Sequence, residues 1–187
     1  LSDGLAKPVG ILNLGGVANI TAIGSDGSLV AFDTGMASGL IDNWMQAHGD
    51  AAYDAGGATA ARGQVDEARL AAMMADPWFA APPPKSIDRE AFTIAPVEGL
   101  SLADGAATLT AFSAQAVARG VDHLPERPAR IYVAGGGRHN ATLMAMLAAR
   151  TGADVRSVDE LGWDGDALEA QGFAYMACLL YTSPSPR

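Results

Sequence analysis

Two glycine-rich turns and two acidic stretches hold the residue types from which a binding or reactive site could be built. In LNLGGVANIT, Gly15 and Gly16 separate two apolar runs, with Asn13, Asn19 and Thr21 beside them. Glycine in a tight turn between strands lets the backbone come close to a ligand, and its amides can cradle phosphate oxygens. Asn19 and Thr21 would add side-chain donors or acceptors, although the same pattern also suits an ordinary hairpin. The second turn is Gly135-Gly136-Gly137-Arg138-His139-Asn140, between the apolar run RIYVA and a helical pattern. Glycine at a strand's carboxyl end, with a helix N-terminus just beyond, is where α/β sheets usually hold nucleotides. It is not the GxGxxG fingerprint.

The triplet Asp33-Thr34-Gly35 admits two chemistries. Paired aspartates that share a proton activate water in aspartic proteases, but that arrangement needs two lobes and mostly β surroundings. Here a helical pattern follows at once, so an aspartate at a strand's end fits a Mg²⁺ shell or an ordered water better. The second acidic stretch holds Asp159, Glu160, Asp164, Asp166 and Glu169. Asp159 and Glu160 read as a solvated helix start, where negative charge complements the dipole. Glu169 heads the apolar side of the last helix, with Phe173, Met176 and Ala177, at a border that can face a cleft. His48, His123 and His139 read as loop or helix-end residues rather than catalysts.

The bulk properties narrow the ligands. The 187 residues suit one domain, or one large piece of a two-domain protein. With 12 basic and 21 acidic residues, the net charge of −9 disfavours nucleic acid and anionic membrane as partners. A phosphate-bearing ligand must then be held locally, by backbone N–H groups or a metal ion. No apolar run approaches the roughly 20 residues of a membrane helix, and LSDGLAKP has no signal-peptide character. A lone cysteine, Cys178, excludes an internal disulfide and fits a reducing, cytoplasmic compartment.

The elements that must position these residues follow from periodicity. Alternation predicts strands over Val9–Leu14, Ala18–Ile23 and Leu29–Phe32, joined closely enough to form an antiparallel meander. Helical spacing covers Ser38–Ala47, Val65–Ala75, Leu102–Gly120, Asn140–Ala149 and Asp166–Leu180. Short strands are predicted at Arg130–Ala134 and Asp154–Ser157. The prolines of PWFAAPPPKSIDREAF predict an extended or polyproline segment across the surface. The sum is an α/β fold with a mixed five-stranded sheet in β-β-β-α-β-α-β-α order, interrupted by an insertion at about 49–100. The domain spans 1–180; the Ser- and Pro-rich stretch 181–187 reads as a disordered or artefactual tail.

Taken together and in order, LNLGGVANIT, FDTG…LIDNW, YDAGG, PPKS..RE.F, VAGGGRHN..LM..L and D..G.DGD..EA..FAYMA resemble the anhydro-N-acetylmuramic acid kinase family. The resemblance runs from about Val9 to Ala177. It implies the actin/sugar-kinase-like (ribonuclease H-like) fold, and that the chain is the carboxyl-terminal, nucleotide-side portion of such a kinase. It implies nucleotide contacts at Gly15, Gly16, Asn19, Thr21, Gly135, Gly136, Gly137 and Asn140. Asp33, Thr34, Gly35 and Glu169 would position substrate or water.

The family uses ATP and Mg²⁺ to open the 1,6-anhydro ring of its amino sugar, giving N-acetylmuramic acid 6-phosphate in cell-wall recycling. A family member carries a glycine- and serine-rich phosphate loop and its catalytic aspartate before the first hairpin. The resemblance therefore implies a missing amino-terminal domain as partner and an inactive fragment. The alternatives are another sugar kinase of the superfamily and a non-catalytic sugar or nucleotide sensor on the same fold, and a second copy, as a homodimer, is a further candidate partner. The chain departs from the family at Met36-Ala37-Ser38, usually Pro-Gly-Asn, and at Ile87-Asp88, usually Thr-Gly.

Overall fold

A computed structural model describes residues 4–182, except for the side chains at 169, 173, 176 and 179–182. Strands β1 (Val9–Leu14), β2 (Val17–Ile23) and β3 (Leu29–Met36) form the antiparallel meander. Helix α1 (Ser38–His48) follows, then the insertion, which contains α2 (Glu67–Met74) and several single 3-10 turns. Helix α3 (Leu102–Asp122), β4 (Arg130–Ala134), α4 (Ala141–Thr151), β5 (Asp154–Ser157) and α5 (Leu168–Thr182) complete the chain. The five-stranded sheet has the order β3-β2-β1-β4-β5. Its last two pairings, β1 with β4 and β4 with β5, are parallel, as helical crossovers require.

One face of the sheet is sealed by α3 and α4. Leu12, Leu14, Ile20, Phe32, Ile131 and Val133 meet Ala114 and Val117 of α3 and Leu143 and Leu147 of α4. Helix α3 is rich in alanine and glycine because it is packed on two sides. Its other side meets α1 and the insertion through Leu109 and Phe112, where Trp44, Leu70 and Phe79 close a second cluster. A side chain at Gly105 would strike the Trp44 indole, whose Nε1 donates to Leu102 O at 2.9 Å. The opposite sheet face is covered in part by Val158, Leu161, Trp163 and Leu168, against Val9, Ile23 and Tyr132.

Three expectations change. Strand β3 is four residues longer than alternation suggests, so Asp33-Thr34-Gly35 lies inside it rather than beyond its end. A bulge explains the missed signal: Asn19 pairs with Asp33 and Ala18 with Gly35, which leaves Thr34 as the extra residue. Gly35 takes φ +148, and a Cβ there would lie 2.8 Å from Ala116 Cβ.

The proline-rich segment is not a purely surface strap either. Pro77–Ala80 forms a 3-10 turn that buries Phe79 against Phe112, and Phe92 stacks on Phe79 with ring centroids 5.4 Å apart. Aromatic burial, invisible in local proline content, pins it down. Tyr181 and Thr182, read as tail from the sequence, continue the α5 backbone; 183–187 lie outside the described residues.

Candidate functional site: a cleft at the ends of two parallel strands

The two glycine turns, far apart in sequence, meet because β1 and β4 are parallel neighbours. Asn13 pairs with Ala134, so both turns leave the sheet at the same carboxyl edge. Beside them lies a cleft of about 520 Å³. Ser38, Ile41 and Asp42 of α1 form one wall, residues 53–56 of the insertion another, and the turn at Gly136, Gly137, His139 and Asn140 the third. Ligands of open α/β sheets settle at such carboxyl edges, where backbone and loops converge without a strand in the way.

The three glycines of the second turn have different duties. Gly135 takes φ +79, and a Cβ on it would lie 2.7 Å from Leu14 O. A Cβ on Gly137 would lie 2.6 Å from Leu14 Cβ. These two let the turn pack on the end of β1. At Gly136 a Cβ would meet nothing within 4 Å; it borders the open cleft.

Arg138 braces this turn, a role that sequence reasoning missed. Its side chain is 5 % exposed; Nη1 donates to Gly135 O at 3.0 Å and to Asp166 Oδ1 at 2.6 Å. Nη2 reaches Asp166 Oδ2 at 2.9 Å, and Nε reaches Asp159 at 3.0 Å. The Asp166 pairing, with Asp159 behind it, raises the guanidinium above its ordinary range despite burial. Arg138 in turn holds the Asp166 carboxyl below its usual value, and Ser157 followed by Arg138 does so for Asp159. Much of the acidic stretch is thereby explained as bracing. Asp164 accepts from the Asp166 and Ala167 amides, and Glu160 reaches Arg156 at 3.4 Å. The Glu169 side chain lies outside the described residues.

The first turn stacks on the start of α1. Gly15 O accepts from the Ser38 amide at 3.0 Å and from Ser38 Oγ at 2.8 Å, while Gly16 O accepts from the Ala37 amide at 3.0 Å. The Arg89 side chain lies against Gly16, its Nε 3.4 Å from where a Cβ would stand. Asn19 and Thr21 are half-buried one and two pleats away, opposite Asn13 and Ile11. They do not line the cleft.

Nor do Asp33, Thr34 and Gly35. The Asp33 amide donates to Lys85 O and its carboxylate accepts from the Ile87 amide, both at 3.0 Å, which fastens the proline-rich strap to the sheet edge. Thr34 is buried and donates to Ala18 O. Lys85 lies over the Trp78 ring at 4.2 Å, and burial lowers its ammonium below the usual value.

Two cleft residues had no sequence signal of their own. Asp42 follows Ser38 by four positions, so helical geometry turns both to the cleft. Burial raises its carboxyl above the ordinary value, against smaller opposing effects of Ser38 and Arg89. Tyr53, 61 % exposed, stands at the mouth. The insertion wall is held rigidly: the Asp54 carboxylate accepts from the Thr59 and Ala60 amides at 2.7 and 2.9 Å. Thr142 Oγ1 donates to Gly57 O at 2.7 Å, tying the loop to α4, while Asn140 Oδ1 caps that helix through the Leu143 amide.

The sheet order, the crossover helices and the carboxyl-edge cleft define an actin/sugar-kinase-like fold. A solved relative in structure is the activator of the 2-hydroxyisocaproyl-CoA dehydratase from Clostridium difficile, with bound ADPNP. It matches with a TM-score of 0.53 at 15 % identity, over 97 % of this chain and 66 % of that one.

The chain belongs to the anhydro-N-acetylmuramic acid kinase family, whose model matches residues 4–185. It is 60 % identical over 178 residues to the anhydro-N-acetylmuramic acid kinase of Rhizorhabdus wittichii, covering 95 % of this chain and 49 % of that protein. The same-named protein of Acidiphilium cryptum is 53 % identical over 180 residues, 95 % of this chain and 50 % of the relative. The chain thus spans about half the length of these relatives. The carboxyl-terminal placement implied by the motifs is not borne out by these matches.

Proposed function

We propose that this chain forms the nucleotide-holding half of a kinase that phosphorylates 1,6-anhydro-N-acetylmuramic acid while opening its anhydro ring. The product would be N-acetylmuramic acid 6-phosphate, in cytoplasmic recycling of cell-wall amino sugar. The observation that carries the reading is the cleft beside Gly136, at the shared carboxyl edge of β1 and β4. Its glycine turn and rigid walls suit ATP, and the name of the family supplies the acceptor.

Nucleotide contacts would come from Gly136, Gly137 and Asn140 at the cleft and from the Gly15-Gly16 turn near the phosphates. Asn19 and Thr21 would contribute through the sheet face beside that turn. Glu169 would border the sugar once a complementary half closes over the cleft, whereas Asp33, Thr34 and Gly35 would only support that side of the fold through β3 and the strap it holds. Among the described residues, no three His, Cys, Asp or Glu side chains gather to hold a metal. The complementary half, rather than a homodimer of this one, would supply the base that activates water and the remaining phosphate contacts. Closing two domains around the phosphates is what phosphoryl-transfer sites gain most from.

The test is turnover. The 187-residue chain with ATP, Mg²⁺ and the anhydro sugar should form no 6-phosphate, whereas the same segment within a whole family kinase should support it. In that kinase Glu169→Gln should cost roughly 10²–10⁴ in rate if the carboxylate aids proton transfer. Turnover by the chain alone would overturn the two-half reading, and indifference to Glu169→Gln would remove Glu169 from the site.

A further inference from the structure

The cleft holds one charged group whose interactions are left incomplete by the fold. Asp54 accepts one backbone amide on each oxygen, Asn140 Oδ1 caps α4, and His139 is largely solvent-exposed. Asp42 differs. It is half-buried on α1, facing the cleft between Ser38 and Ile41. The Ser38 hydroxyl hydrogen-bonds to it, but that hydroxyl has a single proton, which it shares with Gly15 O at 2.8 Å. Arg89 acts on Asp42 only through its charge, from its place against Gly16. A carboxylate carries about four acceptor sites, and one drawn partly out of water keeps a cost until donors reach it.

We infer that the Asp42 carboxylate accepts hydrogen bonds from the 2′- and 3′-hydroxyls of the bound nucleotide, and so makes the site prefer ribonucleotides to deoxyribonucleotides. This rests on the nucleotide reading of the cleft. A vicinal diol presents two donors side by side, which matches the two oxygens of a carboxylate. The phosphates, being anionic, are repelled by Asp42 and directed toward Arg89 and the Gly15-Gly16 turn. The base is left to the side of Tyr53. The cleft acquires a polarity from this: phosphates at the first glycine turn, ribose at Asp42, base toward the mouth.

The experiment titrates the 187-residue chain with ATP, 2′-deoxy-ATP and 3′-deoxy-ATP, each with Mg²⁺, by NMR at millimolar ligand. Asp42→Ala and Asp42→Asn are titrated in the same way, after their melts confirm that they fold. The chain should bind ATP about tenfold more tightly than either deoxy analogue, a difference of about 1.4 kcal/mol. Asp42→Ala should bind all three alike, and Asp42→Asn should keep only part of the preference. A chain that binds ATP without preferring it, or an Asp42→Ala protein that keeps the full preference, overturns this inference and leaves the cleft reading intact. A chain that binds none of the three overturns the cleft reading itself.

Discussion

Adjacent glycines of one turn should fail in opposite ways. At Gly137 a Cβ would stand 2.6 Å from Leu14 Cβ and 3.2 Å from Leu14 Cδ1. Carbon pairs prefer roughly 3.5–4.0 Å, so about 1 Å of overlap must be relieved. Leu14 is fully buried between the sheet and its helices and has nowhere to yield. Overpacking of this kind costs about 1–3 kcal/mol. For a chain of this size each kcal/mol lowers the melting temperature by about 2–4 °C, so Gly137→Ala should melt several degrees lower. At Gly136 a Cβ meets nothing within 4 Å and φ is not positive. Gly136→Val should therefore stay within about 0.5 kcal/mol of the parent, as surface changes usually do. Its branched side chain would stand in the cleft, and ATP binding should fall at least about tenfold, or 1.4 kcal/mol. Thermal melts and calorimetry with ATP and Mg²⁺ on both variants separate the effects. The reasoning is refuted if Gly136→Val melts as low as Gly137→Ala, or if it binds ATP as the parent does.

Asp42 and Asp33 make two further predictions. Because burial raises the Asp42 carboxyl above its reference of 3.8, folding opposes its ionisation. The penalty is present at neutral pH and is relieved as pH falls through the raised folded value. Asp42→Asn should thus melt higher than the parent at pH 7, with the gap closing on acidification; a gap that widens would show the sign is wrong. Asp33→Ala removes the acceptor for the Ile87 amide and should cost about 1 kcal/mol, with faster hydrogen exchange at that amide. Unchanged exchange would mean that the strap is held by its aromatic anchors alone.

Local chemistry was enough to read most of the elements and the turn that forms one wall of the cleft. Period-two alternation and glycine breaks are short-range signals, so β1, β4 and β5 begin and end where the sequence predicts. Gly136, Gly137 and Asn140 line the cleft, and the sequence singles them out because a glycine turn between strand and helix has meaning within six residues. The Thr34 bulge was not, since a bulge is a relation between two strands and alternation is a property of one. Asp33 carries the chemistry of a site residue, yet its partner in space is the Ile87 amide, whose approach depends on Phe79 and Phe92 packing on Phe112.

The acidic stretch 159–169 has the same ambiguity: Asp159 reads as a solvated helix start, yet a buried arginine from an earlier turn takes it together with Asp166. Tyr53 reaches the cleft because the insertion folds back and is clamped to α4 through Gly57 and Thr142, and Asp42 on α1 faces a cleft only because that wall stands opposite it. The sequence by itself determined which segments are strands and helices and where the backbone must bend. Which polar groups brace the fold and which face the cleft was decided by tertiary packing, because a hydrogen bond or a desolvated charge is defined by neighbours that the chain brings in from elsewhere.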